Sequence, residues 1–148
     1  MCRFLPIAFC LFASLPADAD ARQSQVIPGP VRADVVEVID GDSIKVSAHI
    51  WPGQHVLVNI RIRGIDAPEL KSRCSTEKGA ALAARQMTSN LVSGGSIVLT
   101  NISGGKYYGR MLADVANLEG SDLASKLLDA RLVRPYSGKK RRSWCKPE

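Results

Sequence analysis

Five residues spread along the chain, Asp42, Arg61, Asp66, Glu69 and Arg110, have the types needed to break a phosphodiester bond. Two or three carboxylates can hold a hard divalent cation through oxygen, and such a cation polarises a phosphate and its leaving oxygen. Two arginines can grip the phosphate in bidentate fashion as negative charge builds on it. A glutamate beside them can take a proton from an attacking water. Each residue also has a purely structural reading: Asp40-Gly41-Asp42 as a hairpin turn, Asp66 and Glu69 as turn and cap residues around Pro68, and the arginines as strand-surface charges. Only their joint arrangement separates a site from a set of ordinary turns.

Alternation of apolar and polar residues supplies most of the elements that must position them. Val35, Val36, Val38 and Ile39 predict a short strand that ends in Asp40-Gly41-Asp42, and Ile44, Val46 and Ala48 form the apolar face of the second arm of a hairpin. After a loop carrying Trp51-Pro52-Gly53, Val56, Val58, Ile60 and Ile62 occupy one face of a third strand, with Asn59, Arg61 and Arg63 on the other. Arg61 therefore points away from the core. Ala80, Ala84, Met87 and Leu91 recur at helical spacing, with Ser75 or Thr76 as the cap and Gly94-Gly95 as the stop. Two more strands follow, Ile97 to Ile102 and Arg110 to Ala116, joined by the loop Ser103 to Gly109. Arg110 lies off the face made by Met111, Ala113 and Val115. Ser121 then caps a second helix that buries Leu123, Leu127 and Leu128. This order gives an α+β, mainly β fold: a five-stranded OB-fold barrel with helices packed on it. A generic α+β sandwich fits the same order.

The ends of the chain read differently. Residues 1–19 have the basic start, apolar stretch (Phe4 to Leu15) and Ala17-Asp18-Ala19 cleavage signature of a secretory signal peptide, with a cut after Ala21 as the alternative. The stretch is too short to span a bilayer. Phe9 before Cys10 disfavours a lipoprotein cysteine. Residues 20–32, with Pro28, Gly29 and Pro30, read as a flexible leader, and 33–148 as one domain. Cleavage removes one arginine and one aspartate, so the net charge of +6 is kept. That excess favours an anionic partner, a merely soluble basic protein being the plain alternative. Cys2 and Cys10 leave with the signal; the remaining pair, Cys74 and Cys145, is most simply a disulfide in an exported protein. Two thiols are too few for a cysteine zinc site, and His49 and His55 read as exposed loop residues.

The segments VIDGDSIKV, IRIRGIDAPEL, YYGR and LLDARLVRPY, from Val38 to Tyr136, occur in an order and spacing that resembles the staphylococcal nuclease (thermonuclease) family, an OB-fold with helices packed on it. The D-G-D, D-x-P-E and Y-G-R motifs carry the resemblance together. It implies that Asp42 and Asp66 bind calcium with their carboxylates and that Ala67 adds its backbone carbonyl. It implies Glu69 as general base, Arg61 and Arg110 as phosphate ligands that stabilise the transition state, and Tyr108 beside the nucleotide's phosphate. Tyr107 stands where a lysine is familiar and Lys106 lies one residue earlier, so the loop's grip on phosphate is redistributed. Tyr136 is placed to stack on a base, and Lys139 to Arg142 to follow a phosphate backbone, with a solvated tail as the alternative. Arg63 is either a substrate-side or a structural charge.

With the export signature and the cysteine pair, the resemblance implies a secreted or periplasmic, monomeric, calcium-dependent nuclease. By the same resemblance it would hydrolyse DNA, and RNA as well, to 3′-phosphorylated products. A catalytically inactive OB-fold module that binds nucleic acid is the first alternative, and a disulfide-stabilised structural or adhesion domain the second.

Overall fold

The computed structural model describes residues 25–105 and 109–145. The signal-peptide segment, Lys106, Tyr107 and Tyr108 lie outside the described residues. The elements in chain order are β1 (Val31–Asp40), β2 (Ser43–Trp51), β3 (Gln54–Ile62), β4 (Ile65–Asp66), α1 (Ser75–Leu91), β5 (Ser96–Gly104), β6 (Arg110–Asn117), α2 (Leu123–Asp129) and β7 (Arg134–Pro135). Strands β1, β2, β3, β6 and β5 close into a barrel, the five-stranded mainly β architecture expected, with β3 and β6 parallel and the other neighbours antiparallel.

The alternating apolar residues face inward. Ile44, Val46, Ile60, Ile62, Ile97, Leu99, Ala113 and Val115 are at most 1% exposed, and Leu123 and Leu127 of α2 close one side of the core. Each fully buried aliphatic side chain contributes about 1.5–3 kcal/mol. The alternation overstates burial at the outer ends of strands: Val36, Val56 and Met111 are exposed, and much of the outer half of β3 is exposed on both faces. β1 begins at Val31, inside the expected leader, and Ile27 pairs with Ile102 through two backbone hydrogen bonds of 2.8 Å. His49 and His55 face each other across β2 and β3, so they are exposed strand residues rather than loop residues.

Both helix starts differ from the expectation. The cap of α1 is Cys74, whose side chain caps nothing, and that of α2 is Asp122, whose carboxylate accepts the Ser125 N–H at 2.7 Å. The buried line of α1 is Glu77, Ala81, Ala84 and Thr88, with Ala80, Met87 and Leu91 only half-buried beside it. The shift has a physical reason. Glu77 and Thr88 are polar but turned inward by hydrogen bonds that hold the two turns of the site, and a hydrophobic pattern is blind to such residues.

Candidate active site

Register brings the scattered residues together. Ser43 pairs with Arg61 across β2 and β3, which sets the Asp40-Gly41-Asp42 turn beside the end of β3, and the Asp42 carbonyl accepts the Ile62 N–H at 2.8 Å. Arg61 faces away from the core, as its parity requires, and its guanidinium joins two carboxylates: Nη1 to Asp42 Oδ1 at 2.7 Å and Nη2 to Asp66 Oδ1 at 3.4 Å. Asp42 and Asp66 are nearly shut off from solvent, 2% and 4% exposed. The first residue after Asp66 completes the turn, with the Ala67 N–H donating to Asp42 Oδ2 at 2.8 Å.

The D-G-D turn is held from above by α1. A Cβ on Gly41 would lie 2.6 Å from the Ala84 Cβ and 3.0 Å from the Ala67 Cβ, so only glycine admits the helix at this distance. The Thr88 hydroxyl donates to the Gly41 carbonyl at 2.9 Å. Glu77 does the same service for the second turn: its carboxylate accepts the Glu69 N–H at 3.0 Å and the Ser72 hydroxyl at 2.7 Å. Neither Glu77 nor Thr88 was recognised from the sequence. The glutamate is the third helical residue, a position that often serves a cap, and this was the one available signal.

A cleft of about 540 Å³ opens over these turns, lined by Arg61, Glu69, Arg110, Tyr136 and Arg141 among others. Arg110 enters it from the first position of β6, where the Gly105 N–H donates to the Arg110 carbonyl at 3.0 Å. A Cβ on Gly105 would meet that carbonyl oxygen at 2.3 Å, so the glycine permits the loop closure that aims Arg110. Tyr136 lies with its ring 5.9 Å from the Arg61 guanidinium, within cation–π range, and its N–H donates to the Gly64 carbonyl. Arg63 is engaged elsewhere: its guanidinium reaches the carbonyls of Asn101 and Leu112, the Ser103 hydroxyl at 3.1 Å and the Asp114 carboxylate at 3.1 Å. Those bonds tie the end of β3 to β5 and β6 and favour the structural reading of this residue.

The C-terminal segment is part of the site. β7 pairs with β4, aligning Arg134 with Asp66, and Cys74 and Cys145 form a disulfide with Cα atoms 6.0 Å apart. Between these two anchors the tail turns Arg141 inward, onto Asp66 Oδ1 at 2.5 Å, the Ala67 carbonyl at 2.8 Å and the Glu69 carboxylate. Trp144 stacks on Arg134, whose guanidinium carbon is 3.7 Å from the ring centroid, and donates its indole N–H to Asp66 Oδ2 at 3.2 Å. The tail was expected to follow a phosphate backbone or to be solvated; Lys139 to Arg142 are all exposed, and Arg141, 38% exposed, also reaches the carboxylates.

The deciding comparison concerns the stretch that contains most of this geometry. A family model described as staphylococcal nuclease homologue matches residues 59–143, more than half of the chain. The chain belongs to the staphylococcal nuclease homologue family. No curated protein matches it. The matched stretch of this staphylococcal nuclease homologue runs from β3 into the tail and includes Arg61, Asp66, Glu69, Arg110 and Arg141; Asp42 precedes it. Among the described residues no helix is long and apolar enough to cross a membrane.

The donor set suits a hard divalent cation: the carboxylates of Asp42 and Asp66 and the Ala67 carbonyl offer oxygen alone. The Arg141 guanidinium already occupies two of these three groups, Asp66 and the Ala67 carbonyl, together with Glu69, so that part of the set attracts positive charge. Burial pushes the Asp42 carboxyl up to about 6 from 3.8, against the lowering effect of Arg61. In cation-free protein the fold therefore holds a proton that the unfolded chain releases near pH 4, so stability falls as pH rises from about 4 to 6 and stays lower above that. Asp42→Asn should remove this penalty, on the order of 2 kcal/mol at neutral pH. Thermal melts with a chelator present should show the variant several degrees more stable at pH 7.5, with a flatter profile between pH 4 and 7. A less stable variant would mean that the Asp42 charge is net stabilising.

Proposed function

We propose that the protein is an exported nuclease that hydrolyses phosphodiester bonds of DNA and RNA with calcium as its metal. The observation that carries the reading is the convergence on one cleft of Arg61, Arg110 and Glu69 with two buried carboxylates behind Arg61. Bound by Asp42, Asp66 and the Ala67 carbonyl, calcium would supply Lewis acidity toward the phosphate. Arg61 and Arg110 bind the phosphate oxygens and take up charge as the transition state forms. Asp42 and Asp66 hold the Arg61 fork in place, so little reorganisation accompanies that step.

Glu69, half-exposed at the cleft and fixed through its backbone by Glu77, takes the proton from the attacking water. In-line attack on phosphorus then expels the 5′ oxygen and leaves a 3′-phosphate. Tyr136 offers a ring for a base to stack on, and Lys106 and Tyr108 are assigned to the phosphate by their place next to Arg110 in the chain. Contacts to phosphate and to ring faces carry no base identity, so sequence preference should be slight. The disulfide suits an oxidising compartment, in keeping with the signal-peptide reading, and the protein should act there as a monomer.

Plasmid DNA incubated with oxidised protein tests the reading. Cleavage is expected with calcium and none with chelator, and Glu69→Gln should slow it by about 10²–10⁴-fold while leaving a gel shift intact. DNA binding without cleavage in the unmodified protein would replace the nuclease with a binding module. Loss of both would leave only a structural domain.

A further inference from the structure

The Arg141 guanidinium and a divalent cation make the same demand on the same atoms. Arg141 takes Asp66 Oδ1 at 2.5 Å and the Ala67 carbonyl at 2.8 Å, which are two of the three groups assigned to the metal, and it also pairs with Glu69. A cation on those oxygens would meet the Arg141 positive charge at contact distance, and the two repel. The tail is held at both ends: β7 pairs with β4 on one side, and the disulfide to Cys74 lies on the other, four residues beyond Arg141. Trp144 adds a hydrogen bond to Asp66 Oδ2 and a stack on Arg134. The guanidinium is thus presented at a high effective concentration, with most of its ordering entropy already lost.

We propose that Arg141 is a tethered competitor for the divalent cation, so that cation binding and docking of its guanidinium on Asp66 and Ala67 exclude one another, while the disulfide keeps the rest of the tail, Trp144 included, at the site. The inference rests on the reading that Asp42, Asp66 and Ala67 hold the cation. When the cation enters, Arg141 leaves Asp66 and Ala67 but stays at the cleft, where it retains Glu69 or turns to the substrate phosphate. Docking of the Arg141 guanidinium lowers cation affinity, and by linkage the cation lowers that docking to the same degree. The latch keeps the carboxylates neutralised at low cation and raises the cation level at which the site fills.

The indole of Trp144 provides the readout. Its N–H lies 3.2 Å from Asp66 Oδ2, close enough to sensitise the luminescence of terbium bound at that carboxylate. Trp51→Phe removes the second tryptophan, which is exposed and outside the site. In that background, terbium titration with calcium back-competition should show Arg141→Gln binding about tenfold tighter than its parent. Arg142→Gln, which makes the same charge change one residue on, should change affinity about twofold or less. Cys74→Ser with Cys145→Ser should fall between, because the tail is freed but Arg141 remains. If the double cysteine variant does not fold, the Arg141 and Arg142 pair still decides, since both keep the disulfide. Equal affinity in the parent, Arg141→Gln and Arg142→Gln would overturn the latch while leaving the cation site intact. Absence of saturable binding in every variant would remove the cation site and the latch with it.

Discussion

Arg61→Ala lowers the kcat/KM for DNA cleavage by about 10³-fold or more, the loss that follows when a transition-state phosphate ligand is removed. The reason for placing this variant above the others is structural as well as chemical. Among the described residues, the guanidinium touches both Asp42 and Asp66, and those carboxylates are almost wholly buried. Removing it leaves the Asp42 carboxylate, among the described residues, with the Ser43 hydroxyl and the Ala67 N–H, beside the like charge of Asp40, while Asp66 retains Arg141 and Trp144. A buried carboxylate deprived of its ion partner destabilises a fold by roughly 3–5 kcal/mol. Calcium should restore part of that loss, because it supplies positive charge to the same pair. Single-turnover cleavage and urea midpoints, each with and without calcium, check both halves. A rate loss below about tenfold would show that Arg61 is a brace for the carboxylates and not a phosphate ligand.

Gly41→Ala should destabilise the fold by several kcal/mol and disturb the site with it. The new Cβ would sit 2.6 Å from the Ala84 Cβ and 3.0 Å from the Ala67 Cβ. Both neighbours are small side chains fixed to backbone, so neither can swing away, and α1 must move off the turn. Overpacking of this kind costs about 1–3 kcal/mol, to which loss of the Thr88 bond to the Gly41 carbonyl adds about 1 kcal/mol. Asp42 and Ala67, both tied to that turn, shift with it, so activity should fall together with the melting temperature. Adding Ala84→Gly removes one of the two clashing atoms and should recover part of both losses. An unchanged melting temperature in Gly41→Ala would mean that the helix does not rest on the turn.

The strand that carries Arg61 was legible because alternation is a local signal: Ile60 and Ile62 are buried and Arg61 between them is not. The motifs that supply Asp42, Asp66, Glu69 and Arg110 were legible for the same reason, each being a short string at a strand end. What could not be read were partners chosen over long separations. Arg141 and Asp66 are 75 positions apart, Thr88 and Gly41 are 47 apart, and Glu77 serves Glu69 through its backbone. Cysteine arithmetic brought the tail to the site, since Cys145 had to meet Cys74, but nothing local distinguished Arg141 from Lys139, Lys140 or Arg142. The inward line of α1 was misplaced because two of its four members are polar and buried for their hydrogen bonds.

The central claim, that this cleft hydrolyses phosphodiesters by attack of water on phosphorus, is tested most directly in isotopically labelled water. A short single-stranded DNA oligonucleotide, digested with oxidised protein and calcium in H₂¹⁸O, should yield fragments with 5′-hydroxyl ends and 3′-phosphates that carry ¹⁸O, read by mass spectrometry. Unlabelled 3′-phosphates, 5′-phosphate products, or intact oligonucleotide under conditions where binding is measurable would each contradict the account.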